Sequence, residues 1–158
     1  MRNTKSTIIG LILLFLFIIQ FALDLKWKWL YDLQQDEMFK RWSGFGLGMF
    51  ILFQWLLTFS RVVSRFRKYS FKITNLHKWI GAISPLLFYI HSMELGYGYL
   101  ALLAYIFLVN TVIGYFNLDV IKSTSDTLFK GWMITHVAFS IIVTILMIFH
   151  IGVVFYYK

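Results

Sequence analysis

Apolar residues in this chain come in long unbroken blocks separated by short clusters of charge, without the period-two alternation of half-buried strands. A helix that crosses the hydrocarbon core of a bilayer needs about 20 mostly apolar residues. Five blocks predict such helices, over 7–23, 42–60, 76–95, 97–118 and 131–157. The third block is the most polar, interrupted by His77, Lys78, His91 and Glu94. The connecting segments are short, and none has room for a soluble catalytic domain. Every carboxylate (Asp24, Asp32, Asp36, Glu37, Glu94, Asp119 and Asp126) falls in or beside a connection, so the hydrocarbon region is expected to hold no acid.

Composition supports this pattern. Hydrophobic residues make up 59% of the 158 residues and charged residues 14%, against about 25% charged in soluble domains. A globule of this size cannot hide that much apolar surface. The expected fold class is an all-α membrane protein of one domain, five transmembrane helices with a four-helix bundle as its core. The basic start MRNTKS before the first apolar run has the look of a signal peptide. The run is long for one, however, and no A-x-A-like site follows it, so an uncleaved anchor is expected. Cleavage would leave the four-helix core intact.

Lysine and arginine positions set the expected orientation. With the N-terminus inside, the inner segments carry Arg2, Lys5, Arg61, Arg65, Arg67, Lys68, Lys72, Lys78, Lys122 and Lys130. The outer segments carry Lys26, Lys28, Lys40, Arg41 and Lys158. The excess predicts a multi-pass protein of a bacterial cytoplasmic membrane, with its N-terminus inside and its C-terminus outside. Trp27, Trp29, Trp42, Trp79 and Trp132 fall near the predicted interfaces, where aromatic belts sit. No acid interrupts residues 61–78, and a short basic loop held against a bilayer fits anionic lipid headgroups. The net charge of +8 therefore calls for no nucleic acid.

The chain has no cysteine and four histidines. Without cysteine there are no disulfides, thiolate zinc sites, iron–sulfur clusters or covalently attached c-type haem. The histidines form two pairs, His77 with His91 on the third block and His136 with His150 on the fifth, each pair separated by fourteen residues. Fourteen residues fall about 40° short of four turns in a straight helix, and close on four turns in a supercoiled bundle. Both members of a pair then share one face, about 21 Å apart along the axis. The third and fifth spans run in the same direction, because one span lies between them. His77 is thus expected at the inner level with His136, and His91 at the outer level with His150. Two imidazoles are too few for a zinc site, which takes three or four protein ligands. A haem brings four nitrogens of its own and needs two axial ligands. The arrangement suits two non-covalent haem b groups, the inner iron bound by His77 and His136, the outer by His91 and His150.

Small residues stand nearby: Gly81 and Ser84 after His77, Gly131 before His136, Gly152 after His150, Gly44, Gly46 and Gly48 in the second span, and Gly98 and Gly114 in the fourth. They fit close helix packing as well as a macrocycle between helices. Pro85, the single proline, is expected to kink the third span. Arg61 and Arg65 are placed to meet inner haem propionates, and Lys40 and Arg41 outer ones, by cation–carboxylate pairing.

Two histidine pairs on non-adjacent spans, with the segments His77-Lys78-Trp79-Ile80-Gly81 and Tyr89-Ile90-His91, resemble transmembrane dihaem cytochromes b. The chain is similar to the ferric reductase-like transmembrane family that includes the NADPH oxidases, and also to the four-helix core of quinol-oxidising cytochrome b subunits. The resemblance covers roughly residues 42–157 and implies electron transfer across the membrane between a separate donor, a flavoprotein or a quinol, and a separate acceptor. It also implies a quinone site as an alternative, with Glu94 as its proton acceptor. The chain departs from the reductases in lacking a sixth span. No G-x-G-x-x-G stretch stands between a strand and a helix, so the chain is expected to carry no nicotinamide or flavin domain. A haem-free membrane scaffold or transporter subunit is the competing expectation.

Overall fold

A computed structural model describes residues 4–116 and 125–157. Regular structure among them is helical throughout: α1 (Thr4–Ala22), α2 (Lys28–Gln35), α3 (Glu37–Gln54), α4 (Leu56–Val62), a 3₁₀ turn (Ser64–Tyr69), α5 (Ser70–His91), α6 (Tyr99–Tyr115) and α7 (Asp126–Tyr156). Arg2, Asp119, Lys122 and Lys158 lie outside the described residues, as does the predicted end of the fourth span at Leu118.

Three stretches are long and apolar enough to cross a membrane: Lys5–Ala22, Glu37–Val62 and Asp126–Tyr156. Their surfaces match that role. Ile134 is 64% exposed and Ile145 62%, a display of branched aliphatic side chains that water penalises and lipid tails accept. The other two predicted spans differ from expectation. The fourth is the shorter helix α6, of 17 residues. The third is α5, whose first half carries Lys72, Thr74, Asn75, His77 and Lys78 and falls short of a purely apolar span.

Boundaries moved for local reasons. Helix α3 starts five residues before the predicted Trp42, because Asp36 caps it: its Oδ1 accepts the Phe39 N–H at 2.7 Å, and Glu37 adds a negative charge in the first turn. Helix α7 starts at Asp126 instead of Gly131, with the Ser125 hydroxyl accepting from the Leu128 N–H. Helix α5 ends at His91 instead of residue 95, and the chain then passes through Gly96 (φ +72°) and Gly98 (φ +59°), backbone that glycine adopts without a Cβ penalty. The first connection, expected as a loop, contains α2.

Pro85 lies buried inside α5 without ending it. Proline has no N–H to give to the carbonyl four residues back, that of Gly81. The Ser84 hydroxyl donates to that carbonyl at 2.8 Å, so the bond that proline removes is replaced from the next side chain.

The chain forms two compact units. In Lys5–Met93, α3 packs on α5, and Phe17 of α1 meets Phe88 of α5 edge to face at 5.4 Å. In Glu94–Lys158, α6 packs along α7.

Candidate functional site

All four histidines lie on the two helices the sequence assigned them to, His77 and His91 on α5 and His136 and His150 on α7, and all are half-buried. Each unit builds a setting around its own pair.

In the first unit, α3 holds both imidazoles of α5. The His91 Nδ1 lies 3.1 Å from the Ser43 Oγ. The Ser43 hydroxyl is also 3.3 Å from the Lys40 carbonyl. The Ser43 hydroxyl and the His91 Nδ1 share a hydrogen bond whose donor is set by the His91 tautomer. At the other end of the helix pair, the His77 Nδ1 lies 3.3 Å from the Gln54 carbonyl oxygen, which only accepts, so there Nδ1 donates. Gln54 is the last residue of α3, and one residue, Trp55, separates it from α4. In His77 the tether leaves the lone pair on Nε2, and in His91 it leaves Nε2 clear of Ser43. This is how metal-binding histidines are commonly oriented, one nitrogen donating to a fixed acceptor and the other facing the metal.

The ring of His91 also meets α3 directly. A Cβ added to Gly44 would stand 2.7 Å from its Cε1, closer than side chains tolerate. Gly44 is required here because an imidazole fills the space a methyl would take. Gly81 is different: a Cβ there would find the Gln54 amide at an ordinary 3.6 Å.

The second unit repeats the device with other residues. A Cβ on Gly114 of α6 would lie 3.2 Å from the His136 Cε1. Trp132, one turn before His136, stacks on the imidazole with its ring parallel to within 5° and centroids 5.8 Å apart. The Trp132 indole N–H donates to the Ile113 carbonyl at 2.8 Å, in the last turn of α6 where carbonyls lack helical partners. A chain of bonds follows: the Asn110 amide donates to the Ser140 Oγ at 3.0 Å, and Ser140 donates to the His136 carbonyl at 2.7 Å. Near His150 the Tyr99 ring lies at 6.2 Å, tilted by 54°.

The remaining predicted residues separate into groups. Arg61, in the last turn of α4, and Arg65, in the 3₁₀ turn, are exposed on one basic segment. Lys40 is exposed on α3, whereas Arg41 pairs with Glu37 at 3.4 Å across one turn. Glu94 is exposed, three residues past the end of α5. Gly46, Gly98, Gly131 and Gly152 have no neighbour within 4 Å of an added Cβ, so no close contact requires glycine there.

Sequence reasoning missed Ser43, Gln54, Gln34 and the stacking role of Trp132. Part of the signal was present. Ser43 is a polar residue in an apolar run, whereas Gln54 holds His77 through its backbone carbonyl, which no side-chain pattern announces.

Among the described residues no three or more His, Cys, Asp or Glu side chains gather in a way that could hold a metal ion. The donor set is one of imidazoles held singly, His77 and His91 through Nδ1, which suits a metal that brings most of its own ligands. Searches against family models, curated proteins and solved structures return no match.

Proposed function

We propose that this protein carries electrons across a membrane through two bis-histidine haem b groups, as the membrane subunit of an oxidoreductase system. The observation that carries the reading is the tethering of both α5 imidazoles by α3 through Nδ1, on the same fourteen-residue spacing that α7 repeats. His77 and His136 would hold the inner group, and His91 and His150 the outer one, a pairing argued from chain direction. Gly44 and Gly114 let a neighbouring helix backbone approach a ligand ring closely, and Trp132 fixes the His136 ring plane by stacking. When bound, haem supplies a one-electron iron couple, and two imidazole ligands leave the iron with no open position. The protein's part is to fix the imidazole planes, exclude water with apolar helices, and tune the couple through burial and nearby charge.

On this reading α5 and α6 are spans as well. Twenty-two residues of α5 extend about 33 Å, and 17 of α6 about 26 Å. On the same reading the chain has five spans in a bacterial cytoplasmic membrane, with the inner N-terminus argued from the lysine and arginine positions. The likeness to ferric reductase-like and cytochrome b proteins points to a flavoprotein or quinol as donor and a separate protein or ferric iron as acceptor.

The deciding experiment is a reduced-minus-oxidised visible spectrum of the purified full chain, expressed with haem supplied. Soret and α bands at two haems per chain are expected. A colourless protein overturns the reading and favours a haem-free scaffold or transporter subunit.

The exposed basic segment gives a further prediction. Cations near the inner couple favour its electron-rich reduced state. Replacing Arg61, Arg65 and Arg67 together by glutamine should lower the inner midpoint potential in a redox titration. The shift should shrink as salt rises, because screening at 0.1 M acts beyond about 10 Å. An unchanged inner potential at low salt would show that the segment does not tune it.

A further inference from the structure

We propose that Gln34 is a positioning residue for the outer ligand His91, acting through the end of α5; the proposal rests on the haem reading above. Gln34 lies on α2, a helix the sequence pattern did not predict, and is 4% exposed. A side-chain amide removed from water is costly unless its hydrogen bonds are replaced. Here they are. The two Nε2 hydrogens go to the Tyr89 carbonyl at 2.8 Å and the Ile90 carbonyl at 3.0 Å. The Oε1 accepts the Met93 N–H at 3.1 Å.

These three partners bracket His91 and Ser92. A helix leaves its last carbonyls without partners, and α5 ends at His91. Of those groups, the Phe88 carbonyl takes the Ser92 N–H at 2.7 Å. Gln34 takes the next two, Tyr89 and Ile90, together with the second amide beyond the helix. The backbone on both sides of His91 is therefore fixed by a single side chain from another helix. That determines where the Cα–Cβ bond of His91 points, before the ring is considered.

The same side chain sits in the frame that holds the ring. Two residues after Gln34, Asp36 ends α2 and caps α3, and α3 carries Ser43 and Gly44, which contact the imidazole. Gln34 thus joins the backbone of the ligand to the element that orients its ring. An apolar residue would satisfy burial next to Leu30 and Met93, both nearly fully buried, but would hold neither carbonyl. The chemistry expected of position 34 is a neutral side chain with two donors and one acceptor.

The test uses the full chain in membranes, expressed with haem supplied, by redox titration and low-temperature EPR. His91→Ala defines which signal belongs to the outer haem. In Gln34→Met, of similar length but without donors, outer haem affinity should fall about ten-fold or more. The outer signal that remains should change in g value and midpoint potential, because the imidazole plane has moved. The inner signal should stay, which also reports that the fold persists. Gln34→Glu donates only when protonated, so its outer signal should move toward the wild type as pH is lowered. Two bound haems with an unaltered outer signal in both variants would overturn the positioning role and leave the haem reading intact. Equal loss of both haems in Gln34→Met and in Gln34→Glu at every pH would also overturn it, since the residue then acts on the fold as a whole. Absence of haem from the wild type overturns both proposals.

Discussion

Replacing His91 by alanine is expected to remove one of two haems, and replacing His77 as well to remove the second. The pairing is tested by which double substitutions add. An iron that loses one axial imidazole loses much of its hold on the protein, so a second substitution on the same iron has little left to remove. His91→Ala combined with His150→Ala should therefore resemble either single variant, whereas His91→Ala with His136→Ala should give a protein without haem. Residues that act as a unit are strongly non-additive, and residues at separate sites are additive. Pyridine haemochrome content per chain is the direct measurement. If His91 and His136 prove non-additive, the ligands are paired across levels and the parallel arrangement of α5 and α7 assumed from chain direction is wrong.

The second large effect is expected at Gly44. Its hydrogen faces the His91 imidazole where a Cβ would come within 2.7 Å of Cε1, well inside the ordinary contact of about 3.5 Å or more between carbons. Gly44→Ala must drive the ring away or separate α3 from α5. Either movement strains the 3.1 Å bond between Ser43 and the His91 Nδ1. Overpacking of this kind typically costs about 1–3 kcal/mol, and here it falls on a proposed ligand. Outer haem content should drop about ten-fold, with the inner haem retained. Gly114→Ala, where the Cβ would be 3.2 Å from the His136 ring, should cost the inner haem less, since a few tenths of an ångström relieve the contact. Gly46→Ala is the control: it lies on the same helix with no neighbour within 4 Å, and alanine is a better helix former than glycine. Spectra and thermal stability of the three variants, compared side by side, should rank in that order. A Gly44→Ala protein with normal outer haem would mean the ring does not occupy this position when loaded.

The sequence by itself determined the class of the protein and the location of its candidate ligands. A composition this apolar admits few structures other than membrane helices, because in lipid each backbone group must be satisfied within its own segment. The histidine positions followed from residue counting alone, since helical periodicity is local. Each expected apolar block is helical, the second divided into α3 and α4, and three stretches are long and apolar enough to cross a membrane. The shifts of helix ends came from caps at Asp36 and Ser125 and from the positive φ of Gly96 and Gly98, signals that are short and easily outvoted by the apolar pattern.

What only the tertiary structure decided is how each ring is held. Ser43 and Gln54 become the partners of His91 and His77 because α3 lies along α5, a contact between residues 48 and 23 positions apart. Among ten glycines, the structure distinguishes two that face an imidazole from those that face open space, a difference of neighbours that no local pattern encodes. Helix α2 has eight residues, too few to be stable alone. It exists because Leu30 is buried and Gln34 closes the end of α5, and both conditions require a partner far along the chain. Local sequence placed the candidate ligands on their helices, and long-range packing gave the imidazoles of α5 and the His136 ring a fixed setting.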